Sequence, residues 1–390
     1  MDGRPSLPVA ELRGHGDGPI HIIRFTADGK YCITGANDRT VRLWNPTRAD
    51  PACGRGRDRD TQSSSSSWGR LPSALPMQTY ADGHMHPVHS VATNRSSTVL
   101  LSASDRTLLA TDLITAQAIR KWWGHAARIE YVTCLGGGND NDDSCGGGVG
   151  GGAGEGIYAS ASYDSTVRLW DARSRSQEPL MILDEAKDAV TCVAASRGRN
   201  EAQIATSSVD GKMRTYDLRT ARLVTEDVSH PITSFSMSND GASVAASCLD
   251  GIVRLWGRGA GDDRRRKGVF QKLHSSHVSN NYKVECAFTS DDEYVISGSE
   301  CGAVAVYSVD FDSMDADGDF GGGAGRSKAL ARAKARVKER GTTLRGHKGP
   351  TCSVAACPQS SRPWLILSAS YDGTAVVWAS REQHDCCFDP

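Results

Sequence analysis

The sequence predicts an all-β fold, a seven-bladed β-propeller in which four-stranded sheets close into a ring. Three observations carry this reading. A unit of one pattern recurs seven times along the 390 residues, and its best copies alternate apolar and polar residues as strands do. The irregular spacing between copies is explained by segments of biased composition.

In the full pattern a Gly-His pair opens the unit and small residues follow. An Asp comes next, then an aromatic residue six positions beyond it. Unit one has Gly14, His15 and TGANDRTVRLWN (34–45), unit three Gly124, His125 and SASYDSTVRLWD (160–171), and unit seven Gly346, His347 and SASYDGTAVVW (368–378). In STVRLW (165–170), Val167 and Leu169 point one way and Arg168 the other. The remaining units are degenerate. Unit two keeps Gly83, His84 and Asp105 but has Thr111 where the Trp belongs. Unit four lacks the His and supplies Asp210 and Tyr216; unit five has His230, Asp250 and Trp256; unit six has His277, Cys301 in place of Asp, and Tyr307.

The markers at 38, 105, 164, 210, 250, 301 and 372 are 40 to 71 residues apart. Setting aside 50–76, 136–156, 257–268 and 311–341, which are rich in Ser, Gly, Arg or Asp, brings every separation to 38–46 residues. A propeller blade of this kind needs ~40–45 residues. The chain therefore reads as one propeller over 1–390 with four disordered insertions and a tail at 380–390. VAELRGH (9–15) reads as the outer strand of the last blade, closing the ring and covering edges that would otherwise pair with other chains.

With 45 basic and 46 acidic residues, the net charge of −1 gives no nucleic-acid or membrane signature. No apolar run approaches the ~18 residues of a membrane span, and the N-terminus lacks a secretory pattern. The twelve cysteines contain no CxxC pair, so free thiols in a reducing compartment are expected. Cys386 and Cys387 read as an incidental vicinal pair, and no metal or cofactor is expected.

His125, Ser160, Asp164 and Trp170 imitate a Ser-His-Asp triad. The set recurs as His15, Thr34, Asp38, Trp44 and as His347, Ser368, Asp372, Trp378. Catalysis needs such a constellation once, opening to a pocket; repetition points to hydrogen-bond chains that satisfy polar groups inside each blade. There is no GK[ST] phosphate loop and no HExxH. RSKALARAKARVKER (326–340) is either a basic helix for RNA, an acidic partner or nuclear import, or a solvated insertion; the lack of a strong apolar stripe favours the latter.

All four insertions fall at a–b or c–d connections, which share one face of a blade with strands a to d. The other face is expected to keep short loops in every blade and to be the docking surface. Candidate contacts there are Asn37, Tyr163, Leu249, Glu300 and Tyr371, just before each turn, and Arg128, Glu130 and Tyr282, after the opening position. Any one of them reads equally well as a solvated turn residue.

The middle of the chain is more specific. RSRSQEPLMILDEAKDAVTCV (173–193), SSVDGKMRTYDLR (207–219), HPITSFSMSNDG (230–241), SSHVSNNYKVECAF (275–288) and ISGSECGAV (296–304) resemble the WD-repeat-containing protein 83 family of WD40 propellers, also called mitogen-activated protein kinase organiser. The resemblance implies a non-catalytic scaffold for components of a kinase cascade, or alternatively a spliceosomal subunit acting in pre-mRNA splicing. It implies protein partners (signalling kinases and adaptors, or splicing factors), indirect RNA association, no membrane, a monomeric propeller, and residence in cytoplasm and nucleus. The insertions, Cys301 and Thr111 depart from the family pattern.

Overall fold

The computed structural model describes residues 7–16, 18–50, 71–135, 156–195, 203–239, 241–258, 267–273, 278–309, 341–362 and 364–380. They form seven four-stranded antiparallel sheets, each wound in chain order a-b-c-d from the axis outward. The last blade takes its outer strand from the N-terminus: Leu7–Leu12 pairs with Ala375–Ala379. Both chain ends thus share one sheet, and the ring closes by backbone hydrogen bonds.

The core lies between blades. Seven buried apolar clusters occupy the seven gaps between neighbouring sheets. Strand b is sandwiched on both sides, which explains its run of small and apolar residues. IYASAS (Ile157–Ser162) and ILSAS (Ile366–Ser370) are almost wholly buried. On strand c, Val167 and Leu169 face the gap toward blade four while Trp170 faces blade two. The free thiols Cys32, Cys192, Cys248, Cys286 and Cys352 are buried and pack as small apolar groups.

The opening glycines have a steric cause. A Cβ at Gly14, Gly124 or Gly346 would stand 2.9, 3.1 and 2.8 Å from the indole edge of Trp44, Trp170 and Trp378. In blade two, where Thr111 replaces the indole, Leu109 takes that place against Gly83. Leu100, Leu113 and the half-buried Tyr80 fill the gap between blades one and two, and the Tyr80 hydroxyl donates to the Leu113 carbonyl at 2.8 Å.

The segments 50–76, 136–156, 257–268 and 311–341 lie mostly outside the described residues, as does the tail apart from buried Ser380. Their edges need correction. Outer strand d of blade one is Ala74–Tyr80, strand c of blade five runs Val253–Arg258, its strand d begins at Lys267, and strand d of blade six begins at Gly341. Outer strands face solvent and are held by ladder hydrogen bonds, so polar composition disguises them as loop. All four segments connect strands a–b or c–d. The opposite face does not keep short loops throughout: residues 274–285 link blades five and six, and of these 274–277, including His277, are outside the described residues.

Candidate functional site

Two sets of polar residues are built into the ring. The first lies inside blades. His15 Nδ1–H donates to Asp38 Oδ2 at 2.9 Å, its Nε2 accepts from Thr34 Oγ1 at 2.6 Å, and Trp44 Nε1–H donates to the same hydroxyl at 2.9 Å. Blade three repeats this with His125, Asp164, Ser160 and Trp170 at 2.8, 2.7 and 2.8 Å. The carboxylate only accepts, which assigns the proton to Nδ1. Blade seven differs: Thr374 Oγ1 sits 2.8 Å from His347 Nδ1 and passes the contact to Asp372 Oδ1 at 2.6 Å, while His347 and Trp378 both reach Ser368 at 2.7 Å.

These hydroxyls are fully engaged and sealed. Ser160 and Ser368 are 0% exposed, so no substrate reaches them, and a nucleophile needs access. Burial alone would raise the Asp38, Asp164 and Asp372 carboxyls. Hydrogen bonds and charge from the partner histidines, with those from the turn threonines, outweigh it and hold all three below the usual carboxylate range.

Degenerate blades improvise. In blade four Tyr216 donates to Glu185 at 3.0 Å, so LDEAKD supplies an acid where other blades have His, and Arg214 clasps Asp210 at 2.6 Å. Arg254 clasps Asp250 in blade five in the same way, at 2.5 Å. In blade two His84 still meets Ser102 at 2.7 Å, but its buried Nδ1 has no hydrogen-bond partner among the described residues.

The second set lies at the mouth of the central channel and arises from one repeated irregularity. In six blades the register of innermost strand a shifts at its second residue: His21, His89, Glu130, Thr191, Thr233 and Cys352. A bulge re-aims the side chain that carries it. Thr191 and Thr233 turn to the Ile232 and Val284 carbonyls of the next blade, at 2.9 and 3.0 Å. His21, His89, Glu130 and Cys352, with Arg128, Lys283, Glu285 and Tyr371, line a single cleft.

In and beneath this cleft, charges tie blades together across the axis. Arg24 grips Glu285 with two bonds of 2.8 Å, and Ser353 donates to the same carboxylate at 2.5 Å. Arg24 also lies 5.3 Å from the Tyr131 ring centroid. Lys283 reaches Glu130 at 3.1 Å, and Arg128 reaches it at 2.6 Å. Burial by itself would raise Glu130 and Glu285; the cations hold both below the normal range, Lys283 and then Arg128 at Glu130, and Arg24 at Glu285. Burial, then Arg128, pushes His89 down to about 4, against the pull of Glu130.

The anticipated contacts are therefore divided. Arg128, Glu130 and Tyr371 line the cleft. The exposed Tyr163 ring stacks on Arg128 at 4.8 Å, and the exposed Tyr282 ring lies 5.5 Å from Tyr371. Asn37 neighbours His21 and favours its charged form. Glu300 is occupied, one of its oxygens accepting the N–H groups of Asn280, Asn281 and Tyr282. Leu249 is half-buried at its own turn and outside the cleft lining. His21, His89, Lys283 and Glu285 were not anticipated. The signal for His21, His89 and Glu285 is a polar residue flanked by apolar or small ones at the start of an innermost strand, as in IHI (20–22), VHS (88–90) and VEC (284–286), while Lys283 carries no such signal.

Among the described residues, no group of three or more His, Cys, Asp or Glu is arranged for a metal ion, and no helix is long and apolar enough to cross a membrane. Cys386 and Cys387 lie outside the described residues.

Comparison with known proteins places this geometry. The WD domain, G-beta repeat model matches residues 6–45, 75–109, 117–171, 222–257 and 338–379. The chain is 32% identical to WD repeat domain-containing protein 83 of Rattus norvegicus, over 77% of this chain and 79% of that one, and 30% identical to the Homo sapiens protein over the same shares. It is 25% identical to the WD repeat domain-containing protein 83 homolog of Dictyostelium discoideum, over 75% and 82% of the two chains. With seven blades, the repeat pattern and relatives that match along most of their length, the chain belongs to the WD repeat domain-containing protein 83 family of WD40 propellers.

Proposed function

We propose that this propeller is a non-catalytic scaffold that docks components of a mitogen-activated protein kinase cascade on the face where the channel cleft opens. One observation carries the reading. Exposed Tyr163 and Tyr282 and half-exposed Arg128 surround a cleft whose floor is fixed by buried ion pairs. Exposed aromatic and Arg anchors on a rigid base are what protein interfaces favour. WD40 propellers serve protein–protein interaction, and the kinase assignment draws on the family resemblance. The scaffold acts as a monomer in cytoplasm and nucleus.

The alternative, a spliceosomal subunit, draws on the basic segment 326–340, whose sequence suits RNA or acidic proteins. That segment is outside the described residues. Affinity purification with mass spectrometry separates the two readings: recovered kinases support the first, splicing factors the second. The variant Tyr163→Ser/Tyr282→Ser, changed only at exposed rings, should lose its partners while keeping its melting temperature. Full capture by that variant refutes docking on this face.

A further inference from the structure

We propose that the channel cleft receives one carboxylate side chain, an Asp or Glu of a docked protein segment, seated between Arg128 and the His21–His89 pair. This rests on the docking-face reading above and supplies the chemistry of the contact.

The charges in the cleft do not balance. Among the described residues, the cleft and the channel just beneath it hold three cations, Arg24, Arg128 and Lys283, against two carboxylates, Glu130 and Glu285. Arg24 takes Glu285 in a bidentate pair, while Lys283 and Arg128 share Glu130. One positive charge is left without its own counter-ion. It lies at the outermost position, where the Arg128 side chain is 43% exposed.

A second observation points to an incoming acceptor. His21 Nε2 is buried and has no hydrogen-bond partner among the described residues, although the ring borders the cleft. Unsatisfied buried polar atoms are rare and ask for an explanation. The His89 and Tyr371 rings lie 4.9 and 5.6 Å from the His21 ring and fix its place at the cleft wall. An acid entering the cleft meets an imidazole N–H and a guanidinium, both donors.

Charge also selects among occupants. A lysine or arginine side chain would meet Arg128 and Lys283. A phosphate dianion would overshoot an excess of one charge and face Glu130 and Glu285. A single carboxylate balances the set. Its arrival favours protonation of the imidazoles, whose other charged or polar neighbours are Arg128, Glu130 and Asn37 for His21, and Arg128, Glu130 and Lys283 for His89. Binding therefore takes up protons and tightens as pH falls.

The full-length chain is titrated with N-acetyl-glutamate N-methylamide while the imidazole signals are followed by NMR. The Gln, Lys and phosphoserine analogues run in parallel. The His21 and His89 signals should move with the Glu probe alone, with tighter binding at pH 5.5 than at pH 7.5. Arg128→Gln should weaken binding about tenfold, the loss expected for one charge-assisted hydrogen bond. His21→Phe/His89→Phe, with its fold checked by the backbone spectrum, should abolish the proton uptake. Silence toward the Glu probe, an equal response to Gln, or a stronger response to phosphoserine or Lys overturns the proposal. Partner capture measured with the Tyr163→Ser/Tyr282→Ser variant is independent, so docking can stand while the carboxylate seat fails.

Discussion

Arg24 of blade one and Glu285 of blade six, 261 residues apart in sequence, meet in a bidentate ion pair across the propeller axis. The Glu285 side chain is 4% exposed and that of Arg24 20%, so each charge depends on the other for compensation. Breaking such a pair from one side costs about 3–5 kcal/mol, because a buried charge is left alone. Replacing both members with apolar residues of similar size is often close to neutral. Glu285→Leu should therefore cost about 3–5 kcal/mol in urea unfolding, and Arg24→Met/Glu285→Leu should recover most of that loss. A single variant no worse than the double would show that the pair is not coupled.

Trp122 tests where the cohesion between blades lies. It sits on outer strand d of blade two, 1% exposed, with Trp170 and Tyr158 rings at 6.2 and 5.9 Å. Its neighbour Trp123 on the same strand is 56% exposed. Truncating a buried Trp to Ala costs about 3–5 kcal/mol, and the same change on the surface costs little. Trp122→Ala should lower stability by that amount and loosen the gap between blades two and three, with faster amide exchange there. Trp123→Ala should leave the unfolding midpoint nearly unchanged.

The two tryptophans also show what the sequence makes legible. The ring of seven units could be read because each complete repeat needs a Gly beside an indole and an Asp at its turn, requirements fixed by contacts inside a unit. Which of two adjacent tryptophans on an outer strand is buried depends on the neighbouring blade, and the unit itself does not encode it. The channel cleft is similar. Arg128 and Tyr371 lie where the repeat places them, whereas His21, His89 and Glu130 reach the cleft through bulges. A bulge shows in sequence only as a polar residue breaking an apolar run. The pairing of Arg24 with Glu285 is set by ring closure, a relation that no local pattern carries.

The b–c turns offer a stabilising change. The residue after the turn Asp, or after Cys301 in blade six, is left-handed in six blades, and four of these use Gly211, Gly251, Gly302 and Gly373. Arg39 and Ser165 adopt the same conformation at φ 66° and 64°. An L-residue there costs about 1–2 kcal/mol, and glycine returns about 0.5–1 kcal/mol of that through its freer unfolded chain. Ser165→Gly should gain about 0.5–1 kcal/mol, and Gly373→Ser should lose a similar amount. Thermal melts of the two variants should move in opposite directions.

Stability should fall with pH in two stages. His21, His84 and His89 sit below the ordinary imidazole value of 6.5, the last two at about 4. Burial is the first cause in each; Lys121 adds to it at His84, and Arg128 and His21 at His89. A folded-state value below the unfolded one means the unfolded chain binds more protons in between, so stability drops as pH falls through that window. Their contribution is complete above about pH 6.5 and is lost on the way to about 4. Asp38, Asp164 and Asp372, held low despite burial by their histidine and threonine partners, take over below the carboxylate value of 3.8. Their contribution is complete above that value and disappears as the folded carboxyls finally protonate. Urea midpoints measured from pH 7.5 to 2 should therefore decline through the upper window and into the lower one. His84→Gln should flatten the upper stage alone. Asp164→Asn should weaken the protein at neutral pH and flatten the lower stage, and a slope that His84→Gln leaves unchanged would rule out the buried imidazole as its source.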